Sequence, residues 1–404
     1  MRRVQTQLRP RYARLALALA LLYCAQKTFG RSLLAALIRR YFLRSGETPK
    51  LVYRATPTNT TLLALCPALT KHKYYPPRLL FNGHLQTVRF AYDDRGPKIR
   101  YRRQLLKLPD DGVVSLDWAL LPDRNDPSTT LTEERPPLLG CPRDATGTAQ
   151  LFCSAYTDDL RFVLHQLREQ FDFAREAFIG AGFSMGSNVL VKYLGEDGSR
   201  TPLTGAISIG NPFDLTICSA NFGDSLLHRM TYDKALNNNL RELFFDKCNA
   251  AEQFRNHPDV DLEVLKATRT VRDFDDTLTK HVFHYDTVDD YYSDAGSVKK
   301  LGGVRVPLLC INAEDDPISV SRALPTVDAV EANPYVILCT TKSGGHLAFY
   351  ESSLKSVYDR ESNMWTAYPI AEFAEAVRLS RIAGQVERCP RDGAAAISDR
   401  RSRL

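Results

Sequence analysis

The stretch that decides the fold runs from Phe178 to Gly198 and reads FIGAGFSMGSNVLVKYLGEDG. One apolar run leads into Gly182-Phe183-Ser184-Met185-Gly186 and another leads away from it. A serine hydroxyl becomes a useful nucleophile when a base takes its proton and the backbone exposes it. A sharp turn from strand to helix provides the exposure, and small residues two before and two after the serine let strand and helix approach. The helix N-terminus then aims backbone N–H groups at developing negative charge. The spacing alone is a weak signal. Its weight comes from the strand pattern before it and the helix pattern after it.

The partners of such a serine are expected downstream, an acid first and a histidine second. CINAEDDPI ends a strand pattern with Asp315 and Asp316, and TTKSGGHLAF ends the next with His346 on a Gly-Gly turn. His346 would take the Ser184 proton and return it to the leaving group, while the acid holds the imidazole tautomer and stabilises the imidazolium. Asp316 is favoured as that acid because it directly precedes Pro317-Ile318, where the chain turns away from the strand end. Asp315 is the alternative. The Met185 backbone N–H, immediately after the nucleophile, is the expected oxyanion donor.

Strand-like and helix-like runs alternate around these residues. EAFIGAGF, LTGAISIGNP, VPLLCINAEDDP and PYVILCTTKSGGH read as strands; SNVLVKYLGEDG and WTAYPIAEFAEAVRLSRI read as helices. This alternation predicts an α/β fold with a mostly parallel sheet covered by helices on both faces. Upstream, alternation on either side of Asp110-Asp111-Gly112 predicts a hairpin, and Asp117 and Trp118 are expected to pack it against the sheet. In YTDDLRFVLHQLREQF, Leu160, Val163, Leu164 and Leu167 share one helix face, with Thr157 as the expected N-cap. The helical, Asn- and Asp-rich segment of about 216–300 is long enough to form a cap.

Of 404 residues, 44% are hydrophobic and 25% charged, so a sizeable core can form. The net charge of +6 is unevenly placed. Residues 1–46 hold ten Lys and Arg and no acid, which leaves −4 on the other 358. That balance gives no reason to expect a nucleic-acid partner. Within the basic arm, Leu15–Ala25 is an unbroken apolar run, too short alone to span a bilayer, and a looser pattern continues to Ile38. A signal anchor or membrane-surface helix, a cleaved signal or transit peptide, and a buried amphipathic helix all fit it. The nine cysteines lack C-x-x-C spacing and several sit in apolar runs, so buried free thiols are expected rather than disulfides. His281 and His284 have H-x-x-H spacing without a third ligand and read as a solvated helix face, so no metal site is expected. His84, in NGHLQT, suits a structural or access-path role.

With these residues in place the chain resembles the AB hydrolase 4 family, membrane-associated α/β-hydrolases. The resemblance rests on FNGHLQTV, DDGVVSLDW, YTDDLRFVLHQL, GFSMGSNVLVKYLGEDG, GNPFDL, DDYYSDAGS, VPLLCINAEDDPI and GGHLAFYE, over about residues 75–355. It implies an α/β-hydrolase fold and serine carboxylester hydrolysis of acylglycerols, phospholipids or medium-chain esters through an acyl-serine, without metal or organic cofactor. It places the triad on Ser184, Asp316 and His346 and suggests membrane association through the N-terminal arm. The division expected is a basic arm or anchor at 1–46, a family segment at 47–94, the hydrolase domain with its cap at 95–385, and a disordered tail at 386–404.

One departure stands out. In the family, the strand before the first large crossover ends in a Gly-containing loop that donates the second oxyanion N–H, and a helix and a central strand follow. Here the strand candidate RPPLLG ends at Gly140, and only Cys141–Ala155 separate it from Tyr156. Fifteen residues cannot hold a loop, helix, strand and loop, which need roughly 30 to 45. One central strand and one helix are therefore expected to be missing near Gly140. This leaves two rivals to a hydrolase: an acyltransferase using the same triad, and a hydrolase-like binding or scaffold protein impaired at the oxyanion site.

Overall fold

The computed structural model describes residues 46–93, 100–120, 143–144, 151–171, 173, 177–248, 250–352 and 364–384. The arm at 1–45, the strand candidate RPPLLG with Gly140 and Cys141, and the tail at 386–404 lie outside the described residues. Strand β1 (Lys50–Tyr53) is followed by helices α1 (Pro57–Ala64), α2 (Pro67–Thr70) and α3 (Gly83–Ala91). Then come β2 (Arg100–Lys107), β3 (Val113–Leu120), β4 (Arg143–Asp144), α4 (Asp158–Gln170), β5 (Ile179–Phe183), α5 (Met185–Asp197) and β6 (Gly205–Ile209). A helical stretch includes α6 (Leu215–Gly223), α7 (Lys234–Glu242) and α8 (Val288–Ala295). After it come β7 (Leu308–Ala313), α9 (Val327–Ala332), β8 (Val336–Thr341) and α10 (Ala367–Ile382).

The main sheet has the order β1-β8-β7-β6-β5. β5 to β8 are mutually parallel, and β1 runs antiparallel along β8. Every residue of β6, β7 and β8 is buried, which is why these runs are apolar throughout rather than alternating. On one face Leu62, Leu69, Phe373 and Val377 pack on Ile207, Ile209 and Leu309; on the other Leu190, Leu194 and Val304 pack on Ala206, Leu308 and Cys310. β1 was not expected from the sequence. KLVY is a four-residue edge strand in a Pro-containing segment and carries little pattern of its own.

Strand β5 ends the sheet on the other side among the described residues. Among the described residues β5 pairs with β6 alone, and Phe183 is 50% exposed. The β2–β3 hairpin forms a separate three-stranded sheet with β4.

Two local expectations need correction. Trp118 is buried and donates to Gln104 Oε1 at 2.8 Å, but it packs with Val163, Leu167 and Phe171. The hairpin therefore rests on α4 rather than on the main sheet, and Asp117 pairs with Arg103 within the hairpin. Thr157 does not cap α4 through its side chain; its hydroxyl donates to Glu196 Oε2 at 2.6 Å, tying α4 to α5. A carboxylate within reach is a stronger partner than the orphan backbone group a cap would serve.

The helical stretch is tied to α5 by buried polar bonds. The Lys192 ammonium lies 2.8 Å from Glu196 and 3.3 Å from Asp294, and Asn188 donates to the Ala295 carbonyl at 2.8 Å. Buried charge is tolerated there because it is paired. Cys66, Cys153, Cys218, Cys310 and Cys339 are buried free thiols, and burial pushes the first four up to about 12. Among the described residues no helix is long and apolar enough to cross a membrane.

Candidate active site

Ser184 occupies the turn between β5 and α5, at φ 50° and ψ −122°. A non-glycine residue in the left-handed half of backbone space is strained and persists only where its surroundings hold it. Here the Ser184 N–H donates to the Ile209 carbonyl of β6 at 2.9 Å, and the Ser187 hydroxyl donates to the Ser184 carbonyl at 2.5 Å. Gly182 is required, because a Cβ there would lie 2.6 Å from Ser187 Cα. Gly186 is not required in that way: a Cβ there would meet nothing within 4 Å. The sequence pattern treats the two glycines alike, whereas only the one facing the helix is crowded.

The structure brings Ser184, His346 and Asp316 together from three strand ends. His346 Nε2 lies 2.8 Å from Ser184 Oγ, and His346 Nδ1 lies 2.9 Å from Asp316 Oδ2. Asp316 is buried, and its other oxygen accepts the backbone N–H groups of Ile318 at 2.7 Å and Ser319 at 2.8 Å. Ser319 Oγ in turn donates to the Gly210 carbonyl at 2.7 Å. One carboxylate oxygen is thus fixed by the backbone, and the other faces the imidazole. Asp315 does not reach the ring. Its Oδ1 accepts the Gly345 N–H at 2.8 Å and so holds the turn that precedes His346.

The segment carrying His346 is unusual in its backbone. Gly345, Leu347 and Phe349 have φ of 57°, 66° and 38°. Helix α3 braces it: the His346 N–H donates to Thr87 Oγ1 at 2.8 Å, and that hydroxyl donates to the Gly83 carbonyl at 2.7 Å. A Cβ on Gly83 would lie 1.8 Å from the Asp315 carbonyl oxygen, so only glycine permits this approach. Sequence reasoning assigned no role to Thr87. The only signal was that NGHLQT is among the stretches resembling the family.

Met185 is the first residue of α5, where a backbone N–H has no acceptor inside the helix. Ser154 lies against it, its hydroxyl contacting the Met185 sulfur, while the Ser154 N–H donates to Tyr291 Oη at 3.1 Å. Gly140 and Cys141, which end the upstream strand candidate and could bring a backbone N–H near the oxyanion, lie outside the described residues.

His84 meets the helical stretch rather than the triad. Its Nδ1 is 2.9 Å from Tyr232 Oη, and its ring is 5.5 Å from that of His228. Burial and His228 lower its pKa below the usual histidine range. Burial, with the negative charge of Asp316, raises Tyr232 to about 12. His281 and His284 sit on a short helical turn and its end, and no cluster of metal-ligating side chains occurs among the described residues.

No protein-family model matches the chain. Individual proteins do. It is 30% identical to Phospholipase ABHD3 of Homo sapiens, over 80% of this chain and 83% of that protein. It is 29% identical to Monoacylglycerol lipase of Saccharomyces cerevisiae, over 73% of this chain and 78% of that protein. It is 31% identical to Embryogenesis-associated protein EMB8 of Picea glauca, over 69% of this chain and 67% of that protein. The chain belongs to the ABHD family of the AB hydrolase superfamily.

Proposed function

We propose that this chain is a serine carboxylester hydrolase of the lipase and esterase type, in which Ser184, His346 and Asp316 act on fatty acyl esters. The observation that carries the reading is the position of His346, with one ring nitrogen 2.8 Å from Ser184 Oγ and the other 2.9 Å from Asp316. Ser184 Oγ attacks the ester carbonyl carbon while His346 Nε2 takes its proton. The carbonyl oxygen becomes an oxyanion facing the Met185 N–H. When the tetrahedral species collapses, the C–O bond to the alcohol breaks and His346 gives its proton to the leaving oxygen. Water then attacks the acyl-serine with His346 as base, releasing the fatty acid and Ser184. Asp316 keeps a hydrogen on Nδ1 and stabilises the imidazolium. The lipid ester class of substrate is suggested by the lipase and phospholipase names of the relatives; the membrane association of the arm at 1–46 rests on its basic and apolar sequence.

In this reading residues 47–94 and 95–385 form one working unit, with the insertion at about 216–300 as its cap. The chain is also a slow catalyst. Among the described residues β5, which leads into Ser184, pairs with β6 alone, and one oxyanion donor in place of two costs about 100- to 1000-fold in turnover. The test is p-nitrophenyl butyrate hydrolysis by this chain, by its Ser184→Ala variant, and by a chain with the loop-helix-strand block restored near Gly140. Activity should rise by about two orders of magnitude on restoration and vanish with Ser184→Ala. Equal rates for the first and third chains would show that another N–H serves the oxyanion. Unchanged activity in Ser184→Ala would remove the triad from the chemistry.

A further inference from the structure

Helix α3 is inside out. A helix on a protein surface normally turns its apolar stripe to the core. Here Gln86 and Thr87 are buried against the His346 segment, while Leu85, Val88 and Tyr92, spaced to share one face, are exposed. Leu79 and Phe81, just before the helix, are exposed as well, Leu79 at 78%. The inversion has a local cause on its inner side, where Thr87 and Gln86 accept the N–H groups of His346 and Tyr350. Nothing of that kind explains the outer side.

A second apolar group lies next to it. Leu226, Leu227 and Met230 are exposed, at 72%, 57% and 64%. The contact of His84 with Tyr232 and His228 joins the two groups, since Leu85 follows His84 and Leu227 precedes His228. Contiguous exposed apolar surface of this kind marks an interaction site. Its charge is one-sided. Arg78, Arg229 and Lys234 are exposed beside the apolar groups. The nearby acids are engaged: Asp224 with Arg322 at 2.5 Å, Asp93 with Arg89 at 3.5 Å, and Asp233 with the Val271 N–H at 2.7 Å.

We propose that the outer face of α3 and the turn Leu226–Met230 together form a docking surface for an anionic lipid bilayer, inserting Leu79, Val88, Leu226 and Met230 among the acyl chains. Apolar side chains ringed by cations suit the headgroup boundary. A second copy of the chain fits less well, because a two-fold contact would set the same cations against each other. The surface supplements the arm. It would bring the mouth of the site to acyl esters held in a bilayer, and it does not depend on turnover.

The test uses the full chain with Val88→Trp or Met230→Trp, read by fluorescence on vesicles of phosphatidylcholine and phosphatidylserine with brominated acyl chains. The two native tryptophans, Trp118 and Trp365, are buried and give a constant background. Ile382→Trp is the control. Ile382 is exposed at the end of α10, whose Val377 meets Gly205, the residue that begins β6 at the opposite end of the sheet from Ser184. Emission from the indole introduced by Val88→Trp or Met230→Trp should shift to the blue and fall by about half on brominated vesicles, with the control unchanged. Vesicle binding without change at either position would mean that the arm alone holds the membrane, and would overturn the proposal. So would equal quenching of the control, no vesicle binding, or a blue shift that appears with protein concentration in the absence of vesicles.

Discussion

Thr87 Oγ1 accepts the backbone N–H of His346 at 2.8 Å, across 259 residues of chain. The bond joins the N-terminal segment to the residue that bridges Ser184 and Asp316. Without it, the left-handed residues around His346 would lose one of their fixed points.

Thr87→Val should therefore lower kcat by about 10- to 100-fold with little change in KM, because the imidazole is no longer held in line with the serine. Leaving the His346 N–H buried without an acceptor should also cost about 1–3 kcal/mol of stability. Thr87→Ser keeps the hydroxyl and should restore most of both. A Thr87→Val enzyme with wild-type kcat would show that the His346 segment positions itself.

The adjacent acids should separate cleanly. Asp316→Asn leaves the volume but removes the charge that sets the imidazole tautomer, and turnover should fall by about four orders of magnitude. Asp315→Asn keeps an oxygen to accept the Gly345 N–H and should change turnover less than about tenfold. Steady-state rates on a soluble ester distinguish the two. The reverse ranking would move the acid to Asp315.

The helical insertion carries its own pH dependence. Burial pushes the Asp275 carboxyl up to about 6, although hydroxyl bonds from Thr279 at 2.6 Å and Tyr292 at 2.8 Å hold it down in part. In the unfolded chain an Asp titrates near 4. The folded state therefore binds this proton more tightly, so its stabilisation is full below about pH 4 and is lost as pH rises through 6. Asp275→Asn should remove that loss, by up to about 3 kcal/mol at neutral pH. Urea midpoints of both proteins at pH 4 and pH 7.5 check this. A gap between them that fails to widen with pH would contradict it.

Much of the architecture was legible because the signals are local. The Gly182–Gly186 spacing sits between one strand and one helix, and β6, β7 and β8 are apolar runs because both their faces are covered. Chain order pointed to Asp316 and His346. What escaped depends on distant partners. Thr87 looks like any helix residue until His346 arrives against it. Asp315 is an unused acid until Gly345 is placed on it. Thr157 had the right position and composition for a cap, but Glu196 competes for its hydroxyl. Gly186 follows the expected pattern, yet faces open space rather than a neighbour. Nor could periodicity foretell that α3 turns its apolar stripe outward, since pattern reading assumes that such stripes face the core.

The central claim is that Ser184 is an activated nucleophile in this chain. Labelling with a fluorophosphonate, read by intact mass, tests it most directly, in the full chain and in the Ser184→Ala and His346→Ala variants. One adduct is expected on the unaltered chain, none on Ser184→Ala, and strongly slowed labelling on His346→Ala. An unlabelled native chain, or the same adduct on Ser184→Ala, would contradict it.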